Sequence, residues 1–305
     1  MPIGIYLYDI DKSFGPNIIA DYYLTKEKVS TDILKEFIEK HVKKEFADAT
    51  AKRDNFKYYS SEIKAENIQK NLYLGFILKE DEDLVSLKSI FKGIEEKIVQ
   101  NYTNEKNKMI TVLKEALNSI LSLMEKLKEP KLIIETINEK TKKMLDEGKF
   151  QEARELIDLG EKIPEKLSSE IKLAEQFFND KFYKRAKSRY LKAAQLAELI
   201  QETEIVSFLR NKAEKIGRFP ELLKEREDLL KEIKKIVNEL DINQLSLYED
   251  LVEPINRIMS ISNTLEQDTL IETLTDLNAK IQKASKLSNE ILKLDKNVKE
   301  TLDKI

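Results

Sequence analysis

The aromatic residues of this chain are crowded toward one end. Of 23 Phe and Tyr residues, 14 fall within positions 1–102, and only Tyr248 lies beyond Phe219. Four of the seven glycines also precede residue 94. Aromatic and β-branched side chains suit pleated surfaces, and glycine serves turns and bulges. The first third therefore reads as a mixed α/β unit and the remainder as helix. Composition agrees: charged residues make up 36% of the chain, against roughly 25% in ordinary globular proteins. With only 7 Gly and 6 Pro among 305 residues, there are few breakers to end the helices that Glu, Lys and Leu favour.

Whole classes of function drop out on the same counts. Fifty-three Lys+Arg against 56 Asp+Glu leave a net charge of −3, so no global field draws in nucleic acid or a membrane surface. The absence of Cys excludes disulfides, thiolate metal sites and Cys nucleophiles, and fits an intracellular, cytoplasmic address. A single His, His41, excludes a His-rich metal site. No stretch resembles a signal peptide or an 18-residue apolar run.

Strand signals are clear near the start. Ile3, Ile5 and Leu7 alternate with Gly4, Tyr6 and Tyr8, a period of two. Asp11-Lys12-Ser13-Phe14-Gly15-Pro16 is a turn cluster, after which Ile18, Ala20, Tyr22 and Leu24 alternate again, so the pair reads as a hairpin. Ser30 or Thr31 caps a helix whose stripe is Ile33, Leu34, Phe37, Ile38, His41 or Val42, and Phe46. A polar stretch follows, then a weak strand around Phe56, Tyr58 and Ile63. A stronger strand carries Leu72, Leu74, Phe76 and Leu78 on one face and Tyr73, Gly75 and Ile77 on the other, so both faces are expected to be covered. Asp81-Glu82-Asp83 suits a helix N-terminus, and the helix that follows buries Leu84, Leu87, Phe91, Ile94 and Ile98.

The elements Ile3–Ile10, the Phe14-Gly15-Pro16-Asn17 turn, Ile18–Leu24, Thr31–Phe46, Leu72–Lys79 and Leu84–Tyr102 give the order β-β-α-β-(β)-β-α. That order resembles a longin or related profilin-like domain, an antiparallel sheet lying between helices. The roadblock family is a rival, but its domains usually open with a helix, for which a strand at residue 3 leaves no room. The expected fold class is α+β. Its divisions are 1–104 for this unit, 105–129 for an amphipathic connecting helix, 130–219 for helical repeats and 220–305 for a helical hairpin or coiled coil.

The repeats rest on one period. Phe150, Ala153, Ile157 and Gly160 are spaced 3, 4 and 3, and Tyr183, Ala186, Tyr190 and Ala193 repeat that spacing 33 residues later. Gly148 and Asn179-Asp180 mark the turns before them, and small residues at 153, 160, 186 and 193 allow close helix approach. The pattern is similar to the tetratricopeptide repeat, with Pro164 near that family's terminal proline and Glu198 in its place in the second unit. Further on, Leu222, Leu229 and Ile236 recur every seven residues until Glu253-Pro254 interrupts. The last segment carries Leu270, Leu274, Leu277, Ile281, Ala284, Leu287, Ile291, Leu294 and Val298, a heptad-like seam with a slip near Ala284–Leu287. It dimerises or receives a partner helix as a coiled coil, or it folds back on residues 220–252; chain economy favours folding back.

Chemistry-bearing motifs are missing: neither G-x-x-x-x-G-K-[ST] nor G-x-G-x-x-G occurs. His41 sits on an apolar helix stripe, where a structural role is expected. No carboxylate spacing singles out an acid/base pair, and Asp81-Glu82-Asp83 reads as a helix start rather than a metal site. No enzyme, cofactor or metal is expected. The candidate partner-binding residues are Lys181, Lys184, Arg185, Lys187 and Arg189, a basic run with Phe182 and Tyr183 among them, and Phe14 in the first turn. The run is either a surface for an acidic peptide, RNA or anionic headgroups, or a solvated outer face, which the acidic neighbours Glu170, Glu175, Glu198, Glu202 and Glu204 favour. Phe14 is either an exposed anchor or a plug at the sheet end. Strand Phe56–Ile63 reads as a sheet edge that either pairs with a partner strand or is guarded from pairing by Lys57 and Lys64, the commoner case.

Longin-like domains recur in small-GTPase regulators, vesicle tethers, coat adaptors and SNAREs, and tetratricopeptide arrays receive peptides. The resemblances therefore imply a non-enzymatic intracellular adaptor or scaffold with protein partners, serving a small GTPase or a membrane-trafficking assembly, with any membrane association made through partners. The alternatives are a nucleic-acid-associated protein using the 181–189 run, which is disfavoured, and a structural homodimer organised by residues 220–305.

Overall fold

Period-two alternation in the first third does build strands. The computed structural model describes residues 1–11, 15–43, 46–63, 71–80, 82, 84–240 and 245–303. Strands β1 (Gly4–Asp11), β2 (Gly15–Tyr23), β3 (Asp48–Arg53), β4 (Phe56–Ile63) and β5 (Leu72–Lys79) form one antiparallel sheet in the order β2-β1-β5-β4-β3. Helix α1 (Thr31–Ile38) lies between β2 and β3 in the chain, and α2 (Leu84–Gln100) and α3 (Lys106–Lys128) follow β5. The remaining helices are α4 (Pro130–Asp146), α5 (Phe150–Asn179), α6 (Tyr183–Leu199), α7 (Thr203–Glu239), α8 (Leu247–Asp250), α9 (Val252–Thr264) and α10 (Asp268–Leu302). The fold is α+β, with an N-terminal sheet and a helical body. It divides into two units, residues 1–218 and 219–305.

The sheet buries both faces. Ile5, Leu7, Leu72, Leu74, Phe76 and Leu78 pack under α2 and α3, while Tyr6, Tyr8, Tyr58, Tyr73 and Ile77 pack under α1 through Ile33, Leu34 and Phe37. Met109, Leu113, Leu117 and Ile120 of α3 join the first of these cores, so α3 is a third helix of the sheet unit. Ser30 caps α1, its hydroxyl accepting from the Ile33 N–H at 3.3 Å. The helix is shorter than its stripe suggests. It widens into a π-helical turn over Glu39–Lys43, which buries His41 and leaves Val42 exposed.

Strand β3 lies in what reads as a polar stretch, and β4 is not the edge: it is paired on both sides, by β5 and β3. The edge on that side is β3, whose Lys52 and Arg53 supply the charge that discourages pairing with another chain. Of Asp81-Glu82-Asp83, the residues Asp81 and Asp83 lie outside the described residues, as do Phe14 and Lys64.

The second face is lined by tyrosines, and their hydroxyls have unequal fates. Tyr8 reaches Ser60 at 2.7 Å and Tyr58 donates to Glu27 at 2.7 Å, but the fully buried Tyr6 hydroxyl has no hydrogen-bond partner among the described residues. Tyr6→Phe is therefore expected to leave stability unchanged or raise it by about 1 kcal/mol, because a buried orphan hydroxyl is a desolvation cost. Urea denaturation checks this, and a loss above about 1 kcal/mol would contradict it.

In the helical body, α4 packs on α5, and α5 on α6. Ala153, Gly160, Ala186 and Ala193 all sit at buried contacts, and a Cβ at Gly160 would come 2.9 Å from Ile137 Cγ2 on α4. The aromatic members of the period behave differently: Tyr190 is buried, whereas Phe150 is 68% exposed. Nor does α5 break at Pro164, which lies inside the helix. An interior proline costs about 3 kcal/mol, but the buried stripe Leu156, Ile163, Leu167 and Ile171 runs through it on both sides and opposes a break.

Candidate functional site

The turn between α5 and α6 concentrates exposed aromatic and cationic groups, and its backbone explains why. The Phe182 N–H donates to the Phe177 carbonyl at 2.8 Å and the Lys181 N–H to the Phe178 carbonyl at 2.9 Å. Lys181 has φ +63° between them. This is the Schellman arrangement, in which one left-handed residue closes the helix and the next side chain packs back on its last turn. Accordingly the Phe182 and Phe177 rings meet edge to face with centroids 6.4 Å apart. The Arg185 guanidinium lies 5.3 Å from the Phe182 ring and 5.8 Å from the Phe177 ring, a cation–π geometry. Phe182 remains 52% exposed.

The five-residue basic run does not act as one group. Lys181, Lys184 and Arg185 are exposed around Phe182. Lys187 instead lies over Gly217, where a Cβ would come 2.6 Å from its Cδ. Arg189 pairs with Glu170 at 3.1 Å, and Lys192 reaches the same carboxylate at 2.5 Å. Burial pushes the Glu170 carboxyl up, but hydrogen bonds from Lys192 and Arg189 outweigh it and hold the group below its ordinary range. Phe14 lies outside the described residues.

A second polar assembly, unmarked by any motif, joins α2 to the first half of α7. Lys212, 3% exposed, donates to Ser86 Oγ at 2.8 Å, and its ammonium lies 5.0 Å from the Tyr190 ring. Asn211 donates to the Ser89 carbonyl at 3.1 Å, and Lys215 donates to the Lys88 carbonyl. Lys88 pairs with Asp48 at 3.6 Å. Burial lowers the Lys215 ammonium to about 8, with Lys88 adding to the effect and Asp48 opposing it. One signal does exist: Ile205, Phe208, Leu209, Ala213 and Ile216 are buried at helical spacing, with Lys212 seated in that stripe. A lysine at such a position needs a polar partner across the interface.

Beside this seam a cleft of about 140 Å³ opens between α2, α3 and α7, walled by Ile90, Ile94, Ile120, Leu123 and Phe208. It has room for a side chain or two. Among the described residues no group of three or more His, Asp or Glu side chains is placed to hold a metal ion, and no helix is long and apolar enough to cross a membrane. His41 is taken up in a buried network with Ser60 and the Phe46 carbonyl. Compared with protein-family models, curated proteins and solved structures, the chain has no match.

Proposed function

We propose that this chain is a non-enzymatic adaptor, with a longin-like N-terminal unit and a body of tetratricopeptide-like helices. Its α5–α6 corner receives a protein segment that carries acidic and apolar side chains. The observation that carries the reading is Phe182, half in solvent and covered by Arg185, with Lys181 and Lys184 beside it. Aromatic residues and arginine dominate binding energy where protein surfaces meet, and an exposed ring anchored from behind loses little entropy on docking. The sheet between helices and the small-residue helix contacts support the two family resemblances, while the continuous α5 departs from the repeat pattern. Service to a small GTPase or a trafficking assembly is part of the same proposal and rests on fold analogy.

The test is affinity capture from lysate with GDP and, in parallel, with a non-hydrolysable GTP analogue. Phe182→Ala/Arg185→Ala is expected to release a protein that the wild type retains, by tenfold or more, since truncating two hot-spot residues typically costs above about 2 kcal/mol. Lys181→Gly removes charge while suiting the left-handed backbone, so it separates a charge effect from a folding effect. A small GTPase held in one nucleotide state only would support the GTPase role. Identical retention by wild type and double variant would sink the corner as the site.

A further inference from the structure

Helix α10 carries two stripes. Ile271, Leu274, Asn278, Ile281 and Ser288 are buried and face α8 and α9, on which the helix packs. Asn278 Nδ2 donates to Asn256 Oδ1 at 2.8 Å and Ser288 Oγ to the Leu245 carbonyl at 2.6 Å. The second stripe is Leu277, Ala284, Leu287, Ile291, Leu294 and Val298, of which Leu287, Ile291, Leu294 and Val298 are 50–63% exposed. From residue 289 to 303 every residue is exposed. An isolated helix of this length is marginal in water, and leaving such a seam in solvent forgoes the burial that would hold it.

We propose that this second stripe is the seam of an antiparallel two-stranded coiled coil with the same segment of a second copy of the chain. The spacing 7, 3, 4, 3, 4 is a heptad with Ala284, Ile291 and Val298 at one seam position and Leu287 and Leu294 at the other. Ser288, on the flank of that seam, is tied to the Leu245 carbonyl, so only the turns beyond it have both flanks open. An antiparallel overlap centred between Leu292 and Lys293 has its two central layers in those turns, while its two outer layers reach back to Leu287, 50% exposed beside Ser288. It sets Ile291 against the partner's Leu294 and Leu287 against the partner's Val298, four apolar layers in all. Its open flank places Glu290 beside the partner's Asn297, so no like charges are opposed there, while the flank at Ser288 is taken by Leu245 of the same chain. A parallel pair in register would stack Lys280 on the partner's Lys280 within the seam. It would also face Glu290 with the partner's Asp295, two repulsions that specify against it.

An interface of four apolar layers falls in the weak, transient class, so the dimer forms only at high concentration. Light scattering of the full chain is expected to give a mass near 35.6 kDa when dilute and to approach twice that at several hundred micromolar. Ile291→Glu/Leu294→Glu, at two exposed positions, is expected to stay monomeric with unchanged helix content. Because the chain has no cysteine, an equimolar mixture of Ile291→Cys and Leu294→Cys chains reports orientation: oxidation is expected to give the mixed 291–294 disulfide, identified by peptide mass. A wild-type monomer at the highest concentration, or a dimer indifferent to the double Glu variant, overturns the seam. Predominant disulfides between two Ile291→Cys chains or between two Leu294→Cys chains overturn the antiparallel orientation.

Discussion

Gly75→Ala is expected to cost about 3 kcal/mol or more, enough to unfold much of the N-terminal sheet, since overpacking a core that cannot yield is among the severe substitutions. Gly75 is in β5, bonded on both sides by β1 and β4, directly opposite Tyr6 in register. The Tyr6 ring lies across it: a Cβ at position 75 would come 2.1 Å from Tyr6 Cζ and 2.2 Å from Cε2. Tyr6 is itself fully buried, with the Tyr8 ring 5.9 Å away, so the ring has no solvent to swing into. Tyr6→Phe removes the hydroxyl oxygen at 2.5 Å but keeps Cζ and Cε2, the two closest atoms, and will not rescue the alanine, whereas Tyr6→Leu/Gly75→Ala is expected to recover most of the loss. Guanidinium denaturation of the single and double variants measures the coupling. A Gly75→Ala protein within about 1 kcal/mol of wild type would show that the ring moves freely.

That pairing also shows what kind of information a sequence carries. A glycine amid Tyr73, Phe76 and Ile77 is visible as an oddity, but its cause lies on another strand 69 residues earlier. Strands β1, β2 and β5 and helix α2 are legible because each repeats an apolar residue at its own period. Strand β3, Asp-Ala-Thr-Ala-Lys-Arg, carries no such signal: it is an edge whose buried residues are small. Helix α1 reads too long because its stripe continues through a π-helical turn whose extra residue no periodicity shows. Gly148 and Asn179-Asp180 mark where two of the turns lie, but the residue that takes the left-handed conformation is legible only where it is glycine. Gly148 (φ +76°) closes α4, but Lys181, Gln201 and Glu266, at φ +63°, +57° and +58°, close α5, α6 and α9 with side chains that give no warning.

The candidate site was legible in composition and not in arrangement. Five cations in nine residues are plain to read, yet Arg189 is paired with Glu170, 19 residues before it, and the Lys187 side chain packs over Gly217, 30 residues after it. Local sequence cannot say which face of α6 meets α5 and which meets solvent. What survives at the corner is the part of the run that the Schellman turn turns outward. The same blindness hides Lys212, which sequence reads as one more lysine in a lysine-rich chain.

The one histidine gives the protein a distinct acid sensitivity. Because the Phe46 carbonyl can only accept, His41 Nδ1 carries the proton and donates to it at 2.6 Å, and Nε2 accepts from Ser60 at 2.9 Å. Ser60 in turn accepts from Tyr8 at 2.7 Å, and the His41 and Tyr73 rings lie with centroids 4.5 Å apart. Burial lowers the His41 pKa below its ordinary 6.5, against the opposing pull of the Phe46 carbonyl and Asp48. Below about pH 6.5 the unfolded chain takes up a proton at this residue that the folded chain refuses. Stability is thus complete above that pH and falls on acidification until the folded His41 itself titrates, with a slope of at most about 1.4 kcal/mol per pH unit. His41→Ala is expected to cost about 3 kcal/mol at neutral pH, since it orphans the Phe46 carbonyl, takes one of the two partners of Ser60 and leaves a void against Tyr73. The variant should also lose the slope between pH 6.5 and 5.5, because carboxylates such as Asp48 and Glu170, held low, titrate well below that window. Urea denaturation at three pH values separates the two effects, and equal slopes for wild type and variant would show that the His41 network is open to protons in the folded state.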